Sequence, residues 1–484
     1  MDLTKGDLYF EKWARYEVIA NKMLAPLNEL RLERGVLIHV YGRSIAKVSS
    51  LDVLKAHRYG LLVTGEELTV EDTLPVLEQI AKMDLGPCRI DLGKITHKFL
   101  HSGTSSVKEF LDKELASACT GKHPVLKSPQ DLVLYGFGRI GRLVARVLLD
   151  KIGNGDKIRP KGIVVRNQGA DDLEKRAALL RLDSVHGTFK GTLEVDHEER
   201  ALIANGNMMR LIDSIPPEEM DYTRYGIDNA IVVDNTGRWR DSEGLSRHLE
   251  GKGVKKVLLT APGKGDIPNI VFGINNDQLS PGEKIVSAAS CTTNAIAPIL
   301  KVMDERYGIV SGHIESCHSY TNDQNLIDNY HSKPRRGRAA SLNMVITSTG
   351  AASAVAKVLP ELKGKLTGNA IRVPTPNVSL AILKLSLAKK VSKEDINSYI
   401  RSISLNSPLQ TQIDYTNSAD IVSSDIVGSR HAGVFDGQAT IVNEADPHNV
   451  VLYVWYDNEY GYTCQLMRLL QQMADIDLPE FPKA

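Results

Sequence analysis

The chain of 484 residues is long enough for two or three domains, each with an ordinary hydrophobic core. Its 59 Lys and Arg residues balance 59 Asp and Glu residues, which excludes the overall field that favours nucleic-acid or membrane-surface partners. The five cysteines are odd in number and lack paired metal-ligand spacing, which indicates reduced thiols and no metal site. No segment has the apolar length of a signal peptide or a membrane span, and we expect a cytoplasmic protein.

Residues 1–128 are predicted to form a mostly helical N-terminal extension. Six apolar residues near the start are spaced for one face of a helix: Trp13, Tyr16, Ala20, Met23, Leu27 and Leu30. The stretches 69–72 and 106–109 each pair Thr or Ser with an acidic residue three positions later, as at helix starts. The short apolar run at 35–42 is compatible with a strand or with a buried helical turn. This pattern favours a scaffolding or interaction segment.

Two prolines and a glycine at 120–129 predict a joint, followed by a dinucleotide-binding domain over 129–290. Gly136, Gly138 and Gly141 follow an apolar strand at 132–135 and precede a helical run at 143–149. In such a turn the first glycine permits the bend, the second admits a pyrophosphate, and the third lets helix and strand pack closely. Arg139 and Ile140 complete the turn. We therefore predict that NAD or NADP binds here.

Further strands are predicted at 162–165, 230–233 and 256–259, and loops at strand ends are where ligands bind in such a sheet. These loops supply the other cofactor-binding candidates: Asn167, Gln168, Thr236, Gly237 and Thr260. A carboxylate that would bind the ribose of NAD is missing at 167–168, although Asp171 or Asp172 could reach it. Arg166 could instead favour a 2′-phosphate, so the sequence leaves the choice of cofactor open.

Cys291 lies in the stretch Ser-Cys-Thr-Thr-Asn at 290–294, and His318 ends the next strand-like run. A thiol ahead of a turn with a histidine nearby is the composition of a covalent cysteine catalyst. Taken alone, the same residues also fit a buried structural thiol and a structural histidine. The surrounding motifs decide between the two.

Six ordered stretches resemble the phosphorylating glyceraldehyde-3-phosphate dehydrogenase family: GFGRIGR from Gly136, LDSVHGTF from Leu182, SCTTNA from Ser290, STGAA from Ser348, KLTGNAIRVPTPNVS from Lys365 and WYDNEYGY from Trp455. The resemblance implies a Rossmann-type α/β dinucleotide-binding domain and an α+β catalytic domain over 291–457 with a mainly antiparallel sheet. It also implies that a C-terminal helix over 458–484 returns to the first domain. The extension has no counterpart in the ordinary family member.

The resemblance implies that Cys291 attacks the aldehyde of glyceraldehyde 3-phosphate and forms a hemithioacetal, then a thioester. His318 would serve as the general base and as a cation that lowers the thiol pKa. Hydride would pass to NAD(P), and inorganic phosphate would release 1,3-bisphosphoglycerate, in glycolysis or gluconeogenesis.

By the same resemblance, Thr321 and Arg372 would bind the substrate phosphate. Three further family positions would bind the attacking phosphate: Ser290, Thr349 and Gly350. Thr292, beside the thiol, is another phosphate-binding candidate. Asn458 would orient the nicotinamide, and Arg139 and Thr236 would touch the dinucleotide. The basic loop at 333–338 would lie near a neighbouring subunit, which implies a homotetramer.

Asp323 departs from the pattern, because a threonine is common at this position of the family. Its carboxylate would repel a phosphate unless Arg372 or another cation screens it. Similar Asn-Asp-Gln stretches occur in biosynthetic family members that use the phosphorylated cofactor and in erythrose-4-phosphate dehydrogenases, and both are alternatives. Another is an inactive homologue that binds a partner through the extension and the basic loop. Cys317 would face away from His318 on a strand, and we interpret it as structural.

Overall fold

The structure is a computed structural model that describes residues 5–119, 128–151, 158–280, 282–476 and 478–483. Most of the predicted joint at 120–129 lies outside the described residues. The described helices are α1 Lys5–Arg34, α2 Ser50–Thr64, α3 Val70–Lys82, α4 Leu92–Leu100, α5 Val107–Glu114, α6 Arg139–Lys151, α7 Asp172–Arg181, α8 Ser242–Glu250, α9 Cys291–Tyr307, α10 Ala351–Val358, α11 Lys393–Asn406 and α12 Tyr460–Met473.

The strands were expected mainly beyond residue 130, and most of them lie there. The described strands are β1 Val36–Val40, β2 Arg43–Ser44, β3 Cys88–Asp91, β4 Gln130–Tyr135, β5 Ile158–Val165, β6 Leu193–Asp196, β7 Ala201–Ala204, β8 Asn207–Asp213, β9 Ala230–Asp234, β10 Val254–Leu259, β11 Ile285–Ser287, β12 Ile309–Ser319, β13 Val345–Thr347, β14 Leu366–Val373, β15 Ser379–Leu387, β16 Ile413–Thr416, β17 Gly433–Asp436, β18 Ile441–Val442, β19 Asn449–Tyr456 and β20 Glu480–Phe481.

The described residues form two compact units. The first takes its residues from Met1–Pro129, Asp150–Ile158 and Asp475–Ala484, and the second from Gln130–Leu149 and Arg159–Ala474. No helix in the described part of the chain is long and apolar enough to cross a membrane.

Helices α1 to α5 of the first unit confirm the predicted helical region. Four of the six residues predicted for one face of α1 are buried, from Ala20 to Leu30, whereas Trp13, at the start of the same series, is 46% exposed. The predicted helix starts are confirmed, because Asp72 accepts the backbone N–H of Thr69 at 2.8 Å and Ser106 accepts that of Glu109 at 3.3 Å.

A small sheet in the first unit has the order β2-β1-β3-β20. The ambiguous run at 35–42 forms strand β1, which pairs in parallel with β3. Strand β20 comes from the C-terminal end of the chain and also pairs in parallel with β3, and its Phe481 is buried in the core of this unit. Within the predicted C-terminal segment 458–484, the helix α12 therefore ends at Met473 and a strand follows.

The first sheet of the second unit has the order β11-β10-β9-β4-β5-β8-β7-β6. Strands β4, β9, β10 and β11 run parallel, as do β5 and β8, and β6 and β7 add an antiparallel edge. The strands predicted at 132–135, 162–165, 230–233 and 256–259 lie within β4, β5, β9 and β10. The Rossmann-type fold is therefore confirmed, with the strand ends at one edge of the sheet.

The glycine turn between β4 and α6 has the geometry that its sequence predicts. Gly136 has φ +91°, and a Cβ at Gly141 would lie 2.4 Å from the carbonyl oxygen of Gly136. A Cβ at Gly138 would meet no atom within 4 Å, so this part of the backbone is open to a ligand. The turn therefore fits a dinucleotide pyrophosphate approaching the start of α6.

The second sheet of this unit has the order β13-β14-β12-β15-β19-β17-β16. Its pairs are antiparallel except β12 with β14 and β16 with β17, which confirms the mainly antiparallel catalytic sheet. Helix α9 packs on this sheet through a continuous buried core that includes Ile296, Leu300 and Met303. The N-terminal end of α9 carries Cys291.

Candidate active site

Cys291 is the first residue of α9, and the chain before it fixes where the helix begins. Ser290 is the N-cap, and its hydroxyl oxygen accepts the backbone N–H of Thr293 at 3.1 Å. Ala289 has φ +55°, an uncommon conformation for a residue with a side chain. The partial positive charge at a helix N-terminus favours a thiolate at this position.

His318 lies on β12 with its ring buried beside the thiol. Its Nε2 is 3.6 Å from Cys291 Sγ, and its Nδ1 is 2.7 Å from the carbonyl oxygen of Ser319. The structure therefore brings together the two residues that the sequence predicted as a pair.

Arg372 is the cation nearest to the pair. Strands β12 and β14 run in parallel with His318 opposite Arg372, which places both side chains on one face of the sheet. Arg372 Nη1 lies 2.8 Å from His318 Nδ1 and 2.9 Å from the Ser319 carbonyl oxygen. Its Nε is buried and has no hydrogen-bond partner among the described residues, so this guanidinium keeps a donor for a ligand.

Burial, with Arg372 adding to it, lowers the pKa of His318 to about 4. The imidazole is therefore neutral at neutral pH, which suits a general base. The expected second role of His318, as a cation partner of the thiolate, stays a prediction. Burial raises the pKa of the Cys291 thiol, and Arg372 is the main charge that opposes this effect.

Tyr456 is a positioning residue that sequence reasoning missed. Its buried hydroxyl group lies 3.0 Å from Thr292 Oγ1 and 2.8 Å from Ser316 Oγ, so it connects the start of α9 to β12. Burial raises the pKa of this hydroxyl group, which stays neutral. The residue lies in the WYDNEYGY stretch, which signalled the family, but only the fold shows its partners. Because Thr292 Oγ1 is engaged with Tyr456, its proposed phosphate contact stays a prediction.

Asn458 is connected to the Cys291 and His318 pair through Ser319, the residue that follows His318. Its Oδ1 accepts the hydroxyl groups of Ser319 and Ser379, each at 2.9 Å. These two donors identify the oxygen end of the amide, and the nitrogen end is left to donate to a ligand. This orientation fits the predicted contact with a carboxamide.

The carboxylate of Asp323 is paired with a cation, Arg336, which screens its negative charge. Arg336 Nη1 lies 2.5 Å from Asp323 Oδ2, and Thr321 donates its hydroxyl to Asp323 Oδ1. Burial alone would raise the pKa of Asp323, but the Thr321 hydrogen bond and the charges of Arg372 and Arg336 hold it below its usual value. The basic run at 333–338 thus contributes one residue to this cluster.

The predicted attacking-phosphate residues lie at two helix N-termini. Ser290 caps α9, Gly350 is the N-cap of α10, and Thr349 Oγ1 accepts the backbone N–H of Ala351 at 3.1 Å. Helix N-termini favour anions. That these residues share one phosphate stays a prediction.

The predicted cofactor residues lie along the carboxyl ends of β4, β5, β9 and β10. Arg139 is held by Asp183 at 2.9 Å and by Glu459, whereas Thr236 donates its hydroxyl to Asp234 at 2.6 Å. Thr260 donates its backbone N–H to the carbonyl of Asp234 at 3.0 Å. The other four candidates follow the strands or the glycine turn without a side chain buried in the sheet: Ile140, Asn167, Gln168 and Gly237.

The neutral state of His318 has a consequence for the reactivity of Cys291. Without an imidazolium partner, the thiolate fraction falls as the pH falls below the thiol pKa. We expect the rate constant for alkylation by iodoacetamide to fall about tenfold per pH unit from about pH 8 to about pH 6. Peptide mass spectrometry of the labelled protein measures this rate at Cys291. The variant His318→Asn should follow the same slope, and a plateau on the acid side would instead show a thiolate–imidazolium pair.

Comparisons with known proteins agree with this arrangement. The family model described as "Glyceraldehyde 3-phosphate dehydrogenase, NAD binding domain" matches residues 130–242. The one described as "Glyceraldehyde 3-phosphate dehydrogenase, C-terminal domain" matches residues 290–458, which include the cysteine, the histidine and Asn458.

Three relatives show how far the similarity extends. A glyceraldehyde-3-phosphate dehydrogenase-like protein of Pseudomonas aeruginosa (strain UCBPP-PA14) is 52% identical over 464 residues, which cover 95% of this chain and 100% of the relative. Glyceraldehyde-3-phosphate dehydrogenase 2 of Bacillus subtilis (strain 168) is 41% identical, covering 71% of this chain and 96% of the relative. Glyceraldehyde-3-phosphate dehydrogenase GAPA1, chloroplastic, of Arabidopsis thaliana is 39% identical, covering 76% of this chain and 90% of the relative. The chain therefore belongs to the glyceraldehyde-3-phosphate dehydrogenase family of oxidoreductases, which use NAD or NADP.

Proposed function

We propose that this protein catalyses the phosphorylating oxidation of glyceraldehyde 3-phosphate to 1,3-bisphosphoglycerate. The observation that carries the proposal is the distance of 3.6 Å between Cys291 Sγ and the Nε2 of the buried His318, with Arg372 beside them. Relatives named as glyceraldehyde-3-phosphate dehydrogenases, at 39 to 41% identity, support it.

In the first step, the sulfur of Cys291 bonds to the aldehyde carbon, the carbonyl π bond breaks, and the proton of the thiol passes to the oxygen to give a hemithioacetal. Arg372 can bind the substrate phosphate through its buried Nε, which lacks a protein partner among the described residues. His318 Nε2 then removes the proton of the hemithioacetal hydroxyl group as the carbon loses hydride. The bound nicotinamide cofactor supplies the acceptor for that hydride.

The product of this oxidation is a thioester on Cys291. Inorganic phosphate attacks its carbonyl carbon, the carbon–sulfur bond breaks, and the acyl phosphate leaves while the thiolate is restored. The helix N-termini at Ser290 and Gly350 offer backbone N–H groups to the attacking phosphate. The physiological setting is glycolysis or gluconeogenesis in the cytoplasm.

Steady-state kinetics with both cofactors tests this reaction. Wild-type protein should reduce cofactor with glyceraldehyde 3-phosphate only when inorganic phosphate is present. Cys291→Ser should lose more than about a thousandfold in kcat because no comparable nucleophile remains, and His318→Asn about a hundredfold to ten-thousandfold. Cys317→Ser is the matched control, since Cys317 faces away from His318, and it should keep its activity.

The same assay separates the alternatives. A higher kcat/KM with erythrose 4-phosphate would transfer the proposal to that substrate. Reduction of neither cofactor with either sugar phosphate would contradict an enzymatic role and favour a binding protein.

We also propose a homotetramer. Six large apolar side chains between residues 326 and 346 are more than half exposed: Leu326, Ile327, Tyr330, Leu342, Met344 and Ile346. The loop that carries several of them is ordered by backbone hydrogen bonds from Asn329 to Gly337 and from Ala340 to Asn325. An ordered apolar surface of this kind is typical of a subunit interface.

Light scattering on the purified protein tests the assembly. We expect four times the mass of one chain for the wild type. The double variant Tyr330→Ser with Leu342→Ser should shift the mass to that of a dimer or monomer, because it removes apolar contact area. Val422→Ser, at an exposed apolar residue elsewhere, should remain tetrameric. A wild-type monomer would contradict the proposal.

A further inference from the structure

A basic pocket lies at the edge of the dinucleotide-binding sheet. Its volume is about 270 Å³, and its lining includes Tyr135, Ser214, Trp239 and three arginines: Arg166, Arg238 and Arg247. No aspartate or glutamate lines it in the described part of the chain. The pocket therefore offers guanidinium groups to a ligand without a carboxylate to repel an anion.

The pocket lies beside the glycine turn, at the ends of β4, β5 and β9. Tyr135 is the last residue of β4 and directly precedes Gly136, where the pyrophosphate is expected. Arg166 follows the last residue of β5, and Arg238 follows Gly237 after β9. A nucleoside joined to that pyrophosphate extends along the strand ends towards β5, where proteins of this fold recognise the adenosine ribose.

Two of the three guanidinium groups have no carboxylate partner in the part of the chain that the structure describes. Arg247 pairs with Glu218 through contacts of 2.5 and 2.9 Å. Arg238 lies over the ring of Trp239 at 4.9 Å, and neither Arg238 nor Arg166 forms an ion pair within the described residues. A ligand with two negative charges would therefore find two uncommitted cations here.

The side chains near the expected ribose position contact other groups of the protein. Asn167 occupies the place expected for a ribose-binding carboxylate, and its Oδ1 accepts the backbone N–H of Gly169 at 2.9 Å. Asp172 pairs with Arg176 at 2.8 Å, and Asp171 lies 3.7 Å from Lys175 on the same helix. Asp172 is therefore committed to Arg176, and Asp171 to a weaker exposed pair.

We propose that this pocket binds a 2′-phosphate on the adenosine ribose, and that the protein prefers NADP to NAD. Arg166 and Arg238 are the specificity-determining residues, and Asn167 contributes by lacking the charge that would repel the phosphate. The inference rests on the proposed function only in that a nicotinamide dinucleotide binds at the glycine turn. It selects one of the two cofactors that the family uses.

Calorimetric titration of the full-length protein tests the proposal directly. Adenosine 2′,5′-bisphosphate and adenosine 5′-monophosphate differ only in the 2′-phosphate, and we expect the bisphosphate to bind about tenfold more tightly or better. Arg166→Gln and Arg238→Gln should each weaken the bisphosphate about threefold to tenfold while changing the monophosphate less than about twofold. Asn167→Asp should also weaken the bisphosphate, through charge repulsion.

Arg159→Gln is the matched control, because Arg159 is an exposed arginine at the opposite end of β5. It should leave both affinities unchanged. Equal or tighter binding of the monophosphate would overturn the proposal, as would variants of Arg166 and Arg238 that weaken both nucleotides to the same extent. The titration uses neither aldehyde nor the chemistry of Cys291, so its outcome is independent of the catalytic test.

Discussion

The packing of α9 on the catalytic sheet is the constraint on which the active site depends. The thiol belongs to α9 and the imidazole to β12. Their separation of 3.6 Å therefore depends on how α9 packs against β12 and its neighbouring strands. Apolar residues of α9 form one buried core with β15 and β19, and a turn of the helix would move the sulfur away from Nε2. Tyr456 adds a directional contact, because its buried hydroxyl group must find partners and does so on both α9 and β12.

Charge in this site is arranged to receive anions while the base stays neutral. Arg372 supplies a buried cation next to His318, and burial together with this cation lowers the pKa of the imidazole to about 4. Asp323 would oppose a phosphate, but Arg336 pairs with it at 2.5 Å. At the proposed adenosine end of the cofactor site, Arg166 and Arg238 form no ion pair with a carboxylate among the described residues. Both ends of the site are therefore suited to phosphate groups.

Local patterns explain what could be predicted from the sequence. The glycine turn, the parallel strands and the helix caps depend on a few neighbouring residues, and the structure contains each of them. Two contacts could not be predicted, because they depend on how the chain folds back on itself: Tyr456 with Ser316 depends on strand packing, and Arg336 with Asp323 on the path of a loop. The run at 35–42 was ambiguous because its partner β3 and the C-terminal β20 are far away in sequence. The apolar periodicity of α1 includes Trp13, which lies beyond the buried part of the helix.

The central claim is that Cys291 carries the substrate as a thioester, which mass spectrometry can observe. Protein mixed with glyceraldehyde 3-phosphate and oxidised cofactor in a phosphate-free buffer should accumulate a phosphoglyceroyl group on the peptide that contains Cys291. Addition of inorganic phosphate should remove this group and release the acyl phosphate. Absence of the adduct under these conditions, or its attachment to another residue, would contradict the account.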